Sequence, residues 1–368
     1  MITNLKINNC ATFNKPVELS LKADMRTKKF NCNIFKIDNN TNILKSIAIY
    51  GPNNTGKTTI INCANAIKNT LLNKKNLIKS NLFEKNNICE LGVEFIYQAK
   101  KYYYEFRFNS ITKEYVYEIF KEIIIDNNSY EREKLILLKD TIKKEYKCPE
   151  DKLLESILSV TAKNNILIYL IETNSFKVLG DIKNILTSFA NKIEIVNMNN
   201  IPNQKTIELL KNKNDITKKT VDLIKNADIY LDNYFYDDKI DVVIDDTEEA
   251  EEKILKNQKI IDQIKLVSVY KGKEVPSIIY DSIGTKKFVS LASYIIESLE
   301  EGKILFVDEL DSSLHFKITR AIISMFNNEI NTKAQLIATL HDISLLDCKK
   351  MFRKEQIWFT AKNSEETL

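Results

Sequence analysis

Residues 47–61 read IAIYGPNNTGKTTII, and within them Gly51-x4-Gly56-Lys57-Thr58 has the spacing of a phosphate-binding loop. The chemistry calls for these residue types. Gly51 and Gly56 let the backbone through Pro52, Asn53, Asn54 and Thr55 turn its N–H groups inward to cradle phosphates. Lys57 would reach the β- and γ-phosphates, Thr58 would ligate magnesium, and Thr59 completes the set of loop residues. Near the other end of the chain, KILFVDEL carries Asp308 to the end of a hydrophobic strand, with Glu309 directly after it. Two acids in succession divide the labour: Asp308 holds the metal, and Glu309 polarises an attacking water.

Two further elements narrow the class. YDSIGTKKF is expected to end a strand and open a helix, with Ser282 and Gly284 at the start of that helix. A Ser-x-Gly at a helix N-terminus binds phosphate. The loop at 51–58 already supplies such a site, so a second one makes sense if it addresses the γ-phosphate held by another subunit. It lies 308 − 282 = 26 residues before Asp308, which leaves room for one helix. His341 directly follows AQLIATL, where an imidazole can hydrogen-bond the γ-phosphate and the attacking water. His315 reads as structural or interfacial, and Asp311 and Ser312 as lining a subunit contact. NKND at 212–215 matches a guanine-reading motif, but it lies in an amphipathic stretch instead of at a strand end. In a chain this rich in Asn and Lys it reads as chance.

These groups need a scaffold. SIAIY is a buried strand leading into the loop, and Ile60, Ile61, Ala64, Ile67 and Leu71 recur at helical spacing after it. From Leu91 to about Ile125 the period changes to two. Tyr102, Tyr104, Phe106 and Phe108 share one face, which reads as an antiparallel sheet packed on a core. From about 129 to 263 the chain becomes charged and helical in pattern; EREKLILLKD, TIELLKNKNDITKKTVDLIKNA and EEAEEKILKNQKIIDQI all fit amphipathic helices. The acidic run Asp245 to Glu252 reads as solvated. Strands return with IKLVSVYKG and VPSIIYD, and strand–helix alternation then continues to EQIWFTA, implying a largely parallel sheet. The expected division is 1–128 and 264–368 as two parts of one nucleotide-binding domain, with 129–263 inserted between them.

Composition sets only broad limits. The 368 residues are 44% hydrophobic, and 54 Lys plus Arg against 50 Asp plus Glu leave a net charge of +4. That balance neither demands nor excludes a nucleic-acid partner. Six scattered cysteines with no C-x-x-C pair read as reduced thiols, not as a zinc site or a disulfide frame. With no leader and no apolar run of membrane-spanning length, a soluble cytoplasmic protein with no membrane partner is expected.

IYGPNNTGKTT, DSIGTKKF, ILFVDELDSSLH, LIATLHDISLLD and QIWFTAKN together resemble the AAA-family ATP-binding proteins of the OLD and abortive-infection type. These are prokaryotic ATPases with ABC-like, SMC/RecF-like heads. The resemblance covers roughly residues 1–110 and 265–362. It implies an α/β P-loop NTPase: an ABC-type head with a mixed sheet, an antiparallel β-subdomain and an inserted, mainly helical arm. It also implies a head-to-tail homodimer, or a higher homo-oligomer, closing over two ATPs with Mg²⁺. Lys57 and Thr58 fall in Walker A, Ser282 and Gly284 in the signature, and Asp308 and Glu309 in Walker B. Asp311 falls in the D-loop, and His341 is the switch histidine. No Q-loop glutamine can be placed; Gln98 and Gln204 are the candidates. No TOPRIM-like acidic cluster follows the head, so effector chemistry, a nuclease or toxin, is expected on a separate chain.

The expected function is an ATP-driven switch that controls or carries such an effector in antiviral defence. The alternatives are a RecF/SMC-like ATPase of DNA repair or maintenance, whose insertion touches DNA, and a non-catalytic nucleotide-sensing scaffold, against which Glu309 argues.

Overall fold

A computed structural model describes residues 1–38, 41–125, 131–172, 175–227, 231–240, 260–346 and 351–362. In chain order the strands of the first half are β1 (Ile2–Asn8), β2 (Val17–Ser20), β3 (Ile34–Lys36), β4 (Asn42–Leu44), β5 (Ser46–Tyr50), β6 (Ile88–Tyr97), β7 (Lys100–Asn109), β8 (Tyr115–Ile125), β9 (Glu131–Asp140) and β10 (Glu145–Lys147). Those of the second half are β11 (Ile193–Asn197), β12 (Leu231–Tyr236), β13 (Leu266–Tyr270), β14 (Lys273–Pro276), β15 (Ile304–Asp308), β16 (Gln335–Thr339) and β17 (Ile357–Phe359).

Five strands make a parallel sheet in the order β11-β15-β16-β5-β17. β5, β15 and β16 are buried at every position, as continuous apolar runs covered on both faces must be. Their side chains alternate between two cores. Ile47, Ile49, Ile304, Phe306 and Ile337 face the helices Lys57–Leu71 and Lys177–Asn191 and the antiparallel sheet. Ala48, Leu305, Val307, Leu336 and Ala338 face the helices Gln204–Asn212, Asp215–Ala227, Ile283–Glu301 and Phe316–Phe326.

The second sheet is antiparallel, in the order β10-β9-β8-β7-β6-β1-β2. The aromatic stripe Tyr102, Tyr104, Phe106 and Phe108 is buried in the first core, and Phe95 on the neighbouring strand stacks on Phe189 at 4.0 Å between centroids. Gln335, fully buried at the foot of β16, accepts from Ile2 N at 2.7 Å and donates to Ile2 O at 3.0 Å, tying the two sheets together. β12, β13 and β14 form a small third sheet, and β3 and β4 a hairpin.

Several elements depart from the sequence reading. EREKLILLKD is not a helix but β9, paired along β8. Its charged half is held by cross-strand partners, Lys101–Glu131 at 2.7 Å and Lys121–Glu133 at 2.6 Å, while Leu137 and Leu138 are buried. The span 129–263 holds more helix than strand, yet it is woven into the head. It supplies β9, β10 and β11, and the helix Lys177–Asn191 buries Leu179, Ile182, Leu186 and Phe189 in the first core. VPSIIYD is a strand only to Pro276; Ser277–Tyr280 is one helical turn. NKND bridges two helices, with Lys213 at φ 49°. The run Asp245 to Glu252 lies outside the described residues. Cys10, Cys32, Cys63, Cys89 and Cys148 are free thiols. Among the described residues no helix is long and apolar enough to cross a membrane.

One buried acid bears on stability. Glu118 on β8 accepts from Tyr104 OH at 3.0 Å and from Leu167 N at 2.9 Å, pinning the turn Leu167–Leu170 to the sheet. Burial outweighs these hydrogen bonds and the nearby Lys139, pushing its carboxyl up from 4.5 to about 7. The folded chain therefore binds this proton more tightly than the unfolded one. The associated stability is complete below about pH 4.5 and is lost as pH rises through about 7. Glu118→Gln should remove that slope and gain up to roughly 3 kcal/mol above it. Urea unfolding of both proteins at about pH 5 and 8 checks this; identical pH slopes would count against it.

Candidate active site

All five parallel strands end on one edge, so the groups that follow them meet there, as in other open parallel sheets. β5 ends at Tyr50, and residues 51–56 form the loop before the helix Lys57–Leu71. Gly56 sits at φ 110° against the Phe13 ring, where a Cβ would lie 2.5 Å from Cζ. A side chain there would meet both backbone strain and a clash. Lys57 Nζ donates across the loop to Gly51 O at 2.6 Å and Pro52 O at 3.0 Å, and Thr55 Oγ1 donates to Pro52 O at 2.7 Å. Pro52, Asn53, Asn54 and Thr58 are exposed. Thr59 turns away, its hydroxyl sharing a 2.9 Å hydrogen bond with Thr12.

β15 brings Asp308 beside the loop. It is only 2% exposed, and three elements hold its carboxylate. Oδ1 accepts from Thr339 Oγ1 at 2.7 Å and Thr58 Oγ1 at 3.3 Å, and Oδ2 accepts from Asn197 Nδ2 at 3.1 Å. Hard oxygen ligands from Thr58 and Asp308 suit Mg²⁺, which takes few protein ligands and shares the rest with phosphates and water. Among the described residues no group of three or more His, Cys, Asp or Glu could hold a metal ion.

Glu309 follows with φ 56°, a left-handed backbone uncommon outside glycine. Two contacts hold it: Glu309 N donates to Thr339 Oγ1 at 2.7 Å, and its Oε2 accepts from Asn199 Nδ2 at 2.7 Å. A conformation costing on the order of 1 kcal/mol and kept by specific partners aims the carboxylate out of the sheet. His341 Nε2 lies 4.0 Å from Glu309 Oε1. Asp311 holds the histidine loop from its own chain: Oδ2 accepts from His341 N at 2.7 Å and Asp342 N at 2.5 Å.

Ser282 and Gly284 lie elsewhere. Ser282 caps the helix Ile283–Glu301, accepting from Thr285 N at 3.0 Å. With Gly284, Ser313, His315 and Lys317 it lines a cavity of about 530 Å³ that includes no residue of the loop 51–58. Gly284 is closely approached, since a Cβ there would lie 2.6 Å from Ser313 O. His315 Nδ1 accepts from Lys317 N at 3.2 Å as a helix cap. The structure thus groups Lys57, Thr58, Asp308, Glu309, Asp311 and His341 on one edge, and sets Ser282 and Gly284 apart.

Three residues at this edge escape sequence reasoning. Asn197, Asn199 and Thr339 contact Asp308 or Glu309, whereas Gln98 sits in the β6–β7 turn near Tyr97 and Gln204 reaches Glu208. Only the position of Asn197 at the end of a strand beside β15 could have signalled it, and β11 was not expected. Thr339→Val keeps shape but removes one of Asp308's three donors and the acceptor of Glu309 N–H. We expect a loss of about 1–3 kcal/mol in stability. Chemical denaturation checks this, and unchanged stability would show that the hydroxyl is dispensable.

Residues 46–347 match the family model described as "AAA domain, putative AbiEii toxin, Type IV TA system". Among solved structures, an SMC head bound to the C-winged helix domain of ScpA aligns with a TM-score of 0.50 and 11% identity, over 94% of this chain and 91% of that one. The SMC head domain from Thermotoga maritima aligns at 0.41 and 12%, over the same shares of the two chains. An Smc head with an extended coiled coil from Pyrococcus furiosus aligns at 0.44 and 10%, again over those shares. No curated protein sequence matches the chain. With the family match spanning most of its length, the chain belongs to this AAA domain family, and it shares the α/β fold of an SMC head.

Proposed function

We propose that the chain hydrolyses ATP as one half of a head-to-tail pair and acts as a switch for a separate effector in prokaryotic antiviral defence. The observation that carries the reading is the separation just described. One edge of the chain holds the loop 51–58 with Asp308 and Glu309 beside it, and Ser282 and Gly284 sit at a helix end that lines a different cavity. Two copies arranged head to tail would bring each helix end to the other's loop. The defence role is supported by the family description, which names a toxin of a toxin–antitoxin system. The effector, a nuclease or toxin on another chain, and a cytoplasmic location belong to the same proposal.

Each residue then has a task. The N–H groups of the loop and Lys57 bind the phosphates, and Thr58 and Asp308 would hold Mg²⁺, which neutralises charge on the phosphoryl group. Thr339 and Asn197 orient Asp308 through their hydrogen bonds. Glu309 orients the attacking water and takes its proton; His341 donates to the γ-phosphate. A cavity of about 230 Å³ beside Asn54 and Thr55, lined by Phe13, Lys15, Phe359 and Thr360, suits the nucleoside end.

Glu309→Gln should bind ATP normally and turn over at least about a hundredfold slower, whereas Lys57→Ala should lose binding. Nucleotide binding and phosphate release measured together check this; near-normal turnover in Glu309→Gln would remove the residue from its role. Ser282→Arg and Lys57→Ala should each be inactive, and mixing them should restore one working site per heterodimer. No recovery in confirmed heterodimers would mean that the site is built within one chain. Strong stimulation of turnover by DNA would instead favour the DNA-maintenance reading.

A further inference from the structure

The residue before Ser282 is a buried acid to which the mechanism above gives no task. Asp281 is 5% exposed, while Ser282, one residue on, is exposed. The Asp281 carboxylate accepts three hydroxyl hydrogen bonds. Ser268 Oγ donates to Oδ2 at 2.8 Å, Ser277 Oγ to Oδ2 at 2.5 Å, and Tyr270 OH to Oδ1 at 2.8 Å. Its own N–H donates to Ser277 O at 3.0 Å. Tyr234 OH lies 3.0 Å from Ser277 Oγ, extending the cluster to β12. The three donors therefore come from β13 and from the turn Ser277–Tyr280, and Tyr234 ties that turn to β12.

Hydrogen bonds to an ionised acceptor are roughly twice as strong as neutral ones, and a buried carboxylate that loses them is left with a large desolvation penalty. The chain therefore enters the helix Ile283–Glu301 from a fixed point. Ser282 follows that point directly, and the N–H groups of the helix end come immediately after it. Displacing Asp281 displaces them too.

We propose that Asp281 is a positioning residue, which sets Ser282 and its helix end against the γ-phosphate held by the opposite subunit and does so from β13. The proposal rests on the composite-site reading above. It makes the third sheet the element through which a bound partner would change turnover without touching the nucleotide.

The test uses the full chain. Asp281→Asn keeps the size of the side chain but weakens all three acceptor bonds. ATP affinity should stay within about twofold of the parent, and turnover should fall roughly 10- to 100-fold, the scale of a misplacement near 1 Å. Mixed with Lys57→Ala, it should recover as much turnover as the Ser282→Arg and Lys57→Ala mixture, because the surviving site takes its serine from the intact chain. A merely structural defect would not be rescued in this way. Normal turnover in Asp281→Asn overturns the proposal, as does failure to recover while the Ser282→Arg mixture recovers. If the Ser282→Arg mixture also fails, the composite site itself is wrong and this inference falls with it. Should Asp281→Asn not fold, Tyr270→Phe keeps the carboxylate and removes one donor. Its turnover should fall at least about threefold with the same rescue, and unchanged turnover in that folded variant would overturn the proposal.

Discussion

Asp308 is a carboxylate buried at the end of a parallel sheet, and three hydrogen bonds from three different elements hold it there. Thr58 belongs to the helix after the phosphate loop, Thr339 to the end of β16, and Asn197 to the end of β11. A buried charge is tolerated only where its lone pairs are occupied, so the loop and three strands must keep their relative heights. Register supplies those heights. Asn197 lies opposite Asp308, Val307 opposite Ala338, and Thr339 opposite Ile49. A slip of one residue would turn each inward side chain to the other core and carry the acid away from its donors.

The same hydroxyl that satisfies Asp308 also stabilises the strained residue beside it. Thr339 Oγ1 donates to Asp308 Oδ1 and accepts from Glu309 N, so one side chain anchors the carboxylate of the first acid and the backbone of the second. Strain at Glu309 persists because its surroundings over-determine it. Asn199 reaches Glu309 from β11's side of the sheet, and Ser312 Oγ donates to Asn199 Oδ1 at 3.2 Å, which links the segment after Glu309 to the same bracket.

Much of this was legible in the sequence, and the reasons are physical. The phosphate loop, VDE and the Ser-x-Gly helix end are local devices: each puts its chemistry within a few residues of the backbone feature that aims it. Buried parallel strands announce themselves as unbroken apolar runs, and the aromatic alternation of KYYYEFRF marks a half-buried sheet. EREKLILLKD misled because its charged half is satisfied by Lys101 and Lys121 across the sheet, partners invisible in the segment itself. β11 was missed because IEIVN is short, carries a Glu, and lies in a stretch of helical pattern. Its strand character comes from pairing with β15, a tertiary effect. Losing β11 meant losing Asn197 and Asn199.

Asparagine and glutamine illustrate the cost of reading composition as background. A chain rich in Asn makes each one look accidental, yet buried amides recur at junctions in this fold. Gln335 joins β1 to β16; Gln356 donates to Ser46 O at 3.0 Å and accepts from Asn33; Asn331 closes the turn before β16 by donating to Phe326 O and Ala334 O. An amide offers two donors and an acceptor without bringing a charge into the core, so it can satisfy several backbone groups where strands from distant parts of the chain converge. At the active edge the same property serves the two acids. Asn197 and Asn199 present neutral donors to Asp308 and Glu309, orienting each carboxylate without the opposing charge that a lysine would bring. Two amides, from the end of β11 and the turn after it, thus bracket both acids without adding a charge to that edge.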